Sequence, residues 1–90
     1  MSVKLTFDPA KDVENVRNHG ISLRRAEDFD FAAALYERDD REDYGEVRYN
    51  VLGFLDARLY SLTMTEDGDD IRAISLRRVT KDEEKRYRES

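Results

Sequence analysis

Three runs of alternating apolar and polar residues follow one another between Glu46 and Arg78, and the links between them are short and polar. Val47, Tyr49 and Val51 alternate with Arg48, Asn50 and Leu52; Tyr60, Leu62 and Met64 repeat the pattern over 58–65; Ile71 to Arg78 repeats it again. A period of two is the mark of a strand with one buried face. Leu55 to Ala57 and Glu66-Asp-Gly-Asp-Asp70 are tight connections, so the three strands form an antiparallel meander. The rest of the chain must pack on it.

Before the meander, Val3, Leu5 and Phe7 alternate with Lys4 and Thr6 as a half-buried strand. Asp8-Pro9 then offers a capping carboxylate and a residue whose fixed φ and missing donor suit the first helical position. The spacing predicts a helix to about Asn18, with Val13 and Val16 facing the core and Gly20 ending it. Ser22 caps a second short helix whose apolar side is Leu23, Ala26 and Phe29. Leu35 to Arg38 is a candidate fourth strand, and Asp39 to Gly45 has the irregular polar pattern of a loop. Thr80-Lys-Asp-Glu83 is a capping box opening a charged last helix with Tyr87 as its one large apolar anchor. The expected architecture is α+β: an N-terminal strand and two helices on a three- or four-stranded, mainly antiparallel sheet, then a short C-terminal helix.

A chain of 90 residues has the size of one domain, 1–90, with a single modest core. It has no cysteine and one histidine, so neither a thiolate site nor a histidine-rich metal site is expected, and no cofactor is assigned. No apolar run approaches the length of a membrane span and no leader pattern opens the chain; a cytoplasmic protein is the expectation. The net charge of -5 points to a basic protein partner rather than to a life on nucleic acid. The charge is unevenly placed. Six acids crowd Tyr36 to Glu46, whereas Arg72, Arg77, Arg78 and Lys81 gather at the end of the meander with no acid among them.

That cationic stretch, with the hydroxyl of Ser75, is the plausible anion site. Strict alternation puts Ile71, Ala73, Ser75 and Arg77 on one face of the strand and Arg72, Ile74, Leu76 and Arg78 on the other. Arg72 and Arg78 would lie about 20 Å apart, too far to grip one phosphate, while Ser75 and Arg77 would lie about 7 Å apart. Each candidate also has a plainer role. His19, just before a helix-ending glycine, suits the negative end of the helix dipole; Arg77 and Arg78 can pair with Asp82, Glu83 and Glu84; Arg48 can be a solvated strand residue. Ser75 has no adjacent histidine to make it a nucleophile. Tyr44 and Tyr49 could each stack a base, although Tyr49 falls on the apolar side of its strand.

Phe7-Asp8, Lys11, Asn15, His19-Gly-Ile-Ser22, Ala26 and Phe29, followed by Arg48, Gly53, Ile71-Arg-x-Ile-Ser-x-Arg77, Glu83 or Glu84 and Tyr87, resemble in order the signature of BrnT-type toxins. The resemblance implies a RelE-like fold and a ribonuclease that arrests translation. It also implies a BrnA-type antitoxin, basic and DNA-binding, that neutralises the toxin; DNA is met only through that partner, and two toxins are held in one complex. Carried over by position, the catalytic candidates are His19, Arg48 and Arg77, and the RNA-phosphate candidates are Arg72, Ser75, Arg78 and Lys81. Members commonly have tryptophan at the place of Phe7, and many have arginine where Asp67 follows Glu66.

Metal-free RNA cleavage needs a group to take the proton from a ribose 2′-OH, cations for the charge that grows on phosphorus, and an acid for the leaving 5′-oxygen. Histidine moves protons best near neutral pH, and arginine supplies fixed forked donors. A second expectation stands beside the enzyme. An acid at Asp67 and a net charge of -5 both repel phosphate, which suits a non-enzymatic module that keeps only the antitoxin interface.

Overall fold

The computed structural model describes residues 4–40 and 45–90. At its centre lie β1 (Leu5–Phe7), β2 (Leu35–Asp39), β3 (Arg48–Leu55), β4 (Arg58–Asp67) and β5 (Asp70–Arg78), in one sheet of order β1-β5-β4-β3-β2. The meander is present, β3 pairing with β4 and β4 with β5, both antiparallel. The candidate strand at Leu35 joins it as an antiparallel edge. The N-terminal strand does not stay with the helices but adds a fifth strand parallel to β5, with Leu5 opposite Ile71 and Phe7 opposite Ala73. The sheet is therefore mixed, and larger than the three or four strands expected.

Helix α1 (Pro9–His19) starts as its sequence dictates, the Asp8 carboxylate accepting the Ala10 N–H at 2.9 Å with proline in the first turn. It ends at Gly20, whose φ of 71° lets its N–H reach the Val16 carbonyl at 2.8 Å. Its inward face is not the one expected: Val13 and Val16 are 59% and 47% exposed, and the buried residue is Asn15. The reason is a backbone need. β1 pairs with β5 only as far as Ala73. Beyond it the Asn15 side chain serves the edge instead, its Oδ1 accepting the Leu76 N–H at 2.9 Å and its Nδ2 donating to the carbonyls of Leu76 and Ile21, each at 2.8 Å. A buried amide that satisfies two strand groups outweighs the burial of two valines that can stay in water at modest cost.

Ser22 caps a 3-10 helix, Leu23–Asp28, and Leu23, Ala26 and Phe29 go into the core as the spacing requires. They meet Val51, Leu55, Leu62, Met64, Ala73 and Leu76 on one face of the sheet. Phe29 lies so close over β3 that a Cβ at Gly53 would sit 2.9 Å from its ring, which is why glycine occupies that point.

Helix α2 (Lys81–Glu89) packs on the other face, so the helices are not all on one side. Its capping box is complete, Glu83 N–H to Thr80 Oγ1 at 3.2 Å and Thr80 N–H to Glu83 Oε1 at 2.8 Å. The Tyr87 ring meets Phe54 edge-on at 5.7 Å and its hydroxyl donates to the Ala33 carbonyl, while Arg86 forks onto Glu37. Leu52 is fully buried on this second face, outside the main core cluster. Among the described residues no helix is long and apolar enough to cross a membrane.

Candidate active site on the polar face of the sheet

One irregularity in β5 decides what the second face carries. Met64 stands opposite Ala73 and Thr63 opposite Ser75, so Ile74 has no partner on β4 and forms a β-bulge. Strict alternation would put Arg72 and Leu76 on one face. With one extra residue between them, Ala73 and Leu76 both face the core, and Arg72, Ser75 and Arg77 come together on the polar face. The bulge corrects the expected faces of the strand.

Cross-strand register extends these residues into rows. Thr6, Arg72, Thr65, Arg48 and Asp39 are successive partners across all five strands. The next row runs Ser75, Thr63, Asn50 and Glu37, with Thr63 Oγ1 bonded to Asn50 Oδ1 at 2.9 Å. Arg77 stands opposite Ser61 in the row beyond. Tyr49, on the neighbouring position of β3, packs on the core instead; Tyr44 lies outside the described residues.

The arginines of this face are held by carboxylates. Glu46 bridges two of them, bonded to Arg72 and 3.5 Å from Arg48. Loss of water pushes the Glu46 carboxyl up, but the bond from Arg72 and the charges of Arg72 and Arg48 bring it below the ordinary value. Arg77 grips Glu83 with both terminal nitrogens, at 2.8 and 2.9 Å. That bond is the main reason the Glu83 carboxyl is also lowered; burial opposes it, and the Thr80 backbone N–H assists. Glu46 and Glu83 are thus parts of the site. Sequence spacing singles out Glu83 through its capping box, whereas nothing local marks Glu46 as a bridge between β3 and β5.

His19 is the exposed last residue of α1. It lines a shallow cleft of about 160 Å³ with Lys11, Asn18, Ile74 and Ser75. The structure therefore brings His19 and Ser75 to one cleft. Arg48, Arg72 and Arg77 lie on the adjoining sheet face and are not among the residues lining it. Arg78 points to the opposite face, its guanidinium 5.6 Å from the centre of the Tyr60 ring and its Nε donating to the Leu59 carbonyl. Lys81 is exposed at the start of α2. No group of three His, Cys, Asp or Glu side chains among the described residues could hold a metal ion. Asn15, to which the sequence gives no role beyond its place in the motif, fixes both walls of the cleft by tying the turn after His19 to the strand beside Ser75.

A model of the family described as "Ribonuclease toxin, BrnT, of type II toxin-antitoxin system" matches residues 7–83, which include every candidate site residue named above. The chain belongs to the BrnT family of ribonuclease toxins. Membership in a type II toxin–antitoxin family brings with it an antitoxin partner. The crystal structure of the Brucella abortus ribonuclease toxin BrnT superposes with a TM-score of 0.71 at 18% identity, over 89% of this chain and 100% of that one. At that identity the likeness speaks for the fold alone. No curated protein matches the chain.

Proposed function

We propose that this BrnT family member is a metal-independent endoribonuclease of RelE-like architecture, a single cytoplasmic domain, and that RNA lies across the polar sheet face into the His19 cleft. The observation that carries the reading is the position of Ser75: the bulge at Ile74 sets it in one row system with Arg48, Arg72 and Arg77, and it also lines the cleft with His19. In this reading His19 exchanges protons with the ribose 2′-OH or the leaving oxygen. The 2′-oxygen forms a bond to phosphorus as the bond to the 5′-oxygen breaks, and the proton taken from the first is returned to the second, leaving a cyclic phosphate and a 5′-hydroxyl. Arg48 and Arg77 hold the charge on the phosphoryl oxygens, and Arg72 and Ser75 position the chain. Lys81 meets a flanking phosphate, and Arg78, the last residue of β5 and turned to the opposite face, meets one only where the RNA passes around that end of the strand. A BrnA-type antitoxin, basic and DNA-binding, covers this face in a complex holding two toxins.

A second reading draws on the same geometry. Glu46 between Arg48 and Arg72, and Glu83 on Arg77, already occupy the donors a phosphate would use. A protein that needs these pairs only for its shape would be a non-enzymatic module binding the antitoxin. Expression of the chain alone in bacteria separates the two. The enzyme arrests growth and leaves cleaved RNA, both abolished by His19→Ala or Arg77→Ala and relieved by antitoxin; unaffected growth with intact RNA supports the module.

A further inference from the structure

On the core side of the sheet, away from the arginine rows, β1, the start of β5 and the 3-10 helix enclose a groove of about 650 Å³ lined by Lys4, Leu5, Ala26, Glu27, Phe31 and Ile71. Its floor is apolar. The Phe31 ring is held in place 5.1 Å from that of Phe29, and Leu5 and Ile71 are cross-strand partners, so the floor is built from fixed elements. Its rim is acidic: Glu27 is exposed on one wall, and Glu66, exposed, stands opposite Ile71 in register, with Asp67 and Asp69 exposed in the turn beyond. Among the described residues Lys4 is the one cation lining it. A volume of this size holds several apolar side chains, and it lies within the range of pockets that bury most of a bound group, about 300–1,000 Å³.

We propose that this groove is a docking site for the antitoxin, receiving apolar anchors from a segment whose flanks carry lysine or arginine. The inference rests on the family reading, which supplies an antitoxin, and goes beyond it in saying where that partner holds on. Three observations converge. A chain of net charge -5 favours a basic partner. The acids of the groove surround an apolar floor, the complement of an amphipathic basic segment. The site also lies on the face opposite Arg48, Arg72 and Arg77. An antitoxin anchored here can therefore stay bound while its contacts over the arginines are made or released.

The test is the association kinetics of the purified chain with the antitoxin encoded beside it, at low salt and at about 0.5 M salt. The comparison is between wild type, Glu27→Lys/Glu66→Lys, and the control Asp40→Lys/Glu89→Lys, which makes the same change in charge away from both the groove and the His19 cleft. Rim charges act mainly on the association rate. The groove variant should associate about tenfold more slowly at low salt, with the gap narrowing at high salt, and the control should stay within about threefold of wild type. All four substituted residues are exposed, and an unchanged melting curve shows that the fold is intact. Hydrogen exchange on the wild-type complex should slow in peptides covering 4–7 and 26–31. Equal association of all three proteins, or exchange in those peptides unaltered by the antitoxin, overturns the docking site alone. A chain that self-associates through the groove, with antitoxin bound elsewhere, also overturns it in favour of a second copy as occupant. Failure of the wild-type chain to bind that antitoxin at all overturns the pairing itself.

Discussion

The two faces of this sheet are cut from the same strands and hold together by different means. On the core face, Leu23, Ala26 and Phe29 press on Val51, Leu62, Met64 and Leu76, and the stabilisation comes from removing apolar surface from water. On the polar face, Arg72 and Arg48 share Glu46, Arg77 holds Glu83, and Thr63 holds Asn50. Such polar pairs add little net stability, because each was well solvated before folding. The core face therefore carries most of the folding energy, and the polar face carries the residues to which the proposed chemistry is assigned. The bulge at Ile74 is what lets one strand serve both.

The largest effect expected of a single change comes from the core face. Leu62→Ala, at a fully buried position, should lower unfolding free energy by about 3–4 kcal/mol, read from urea denaturation. Activity per folded molecule should be retained. If Leu62→Ala were to leave stability within about 1 kcal/mol of wild type, the division of labour between the faces would be wrong.

Asn15→Ala is next, at about 2–3 kcal/mol, because it leaves the N–H and carbonyl of Leu76 without their partner on the β5 edge. It should also loosen the wall between His19 and Ser75 and so reduce activity together with stability. Hydrogen exchange at the Leu76 amide gives the direct reading: rapid exchange is expected, and protection equal to wild type would deny Asn15 its role.

A smaller change is expected at Glu83, where neutralising the carboxylate by Glu83→Gln should remove about 1–2 kcal/mol at neutral pH. The folded carboxyl is lowered from its ordinary value of 4.5, so the ion pair is fully stabilising above that value and is lost as pH falls through the lower folded value. Wild type should therefore lose stability in that acid window, and Glu83→Gln should lose less there. Identical acid limbs would mean that Arg77 does not depend on Glu83. Ser61→Ala should do least. Its buried Oγ has no hydrogen-bond partner among the described residues, so the change should be neutral or stabilising by up to about 1 kcal/mol in thermal unfolding. Destabilisation beyond that would reveal a bond on the polar face between Ser61 and its neighbour Arg77.

Much of the fold was written locally. Asp8-Pro9, Gly20, Ser22 and the Thr80/Glu83 box each cap the element they announce, and the meander follows from alternation and short links. What local pattern does not encode is long-range competition. Val13 and Val16 have the right spacing for a buried face, but the unpaired edge of β5 claims Asn15, sixty-one positions from Leu76. A three-residue strand such as β1 carries too little pattern to say that it will pair with β5. The bulge is invisible for a related reason: Ile74 is as apolar as Ile71 and Leu76 in the same strand, and only the partner strand shows that it is extra. Of the candidate site, the cationic cluster and the lone histidine were legible from composition and motif. The acids that hold the arginines were legible only in part, because Glu46 acts across the sheet.

The account turns on whether the polar face and the His19 cleft together cleave RNA. The direct measurement is cleavage of a purified RNA in the presence of a metal chelator by wild type, His19→Ala and Arg77→Ala, each checked for an unchanged fold. Cleavage by wild type with losses of about 10²-fold or more in both variants is the predicted result. Cleavage that is abolished by the chelator, or that survives both substitutions undiminished, would contradict it.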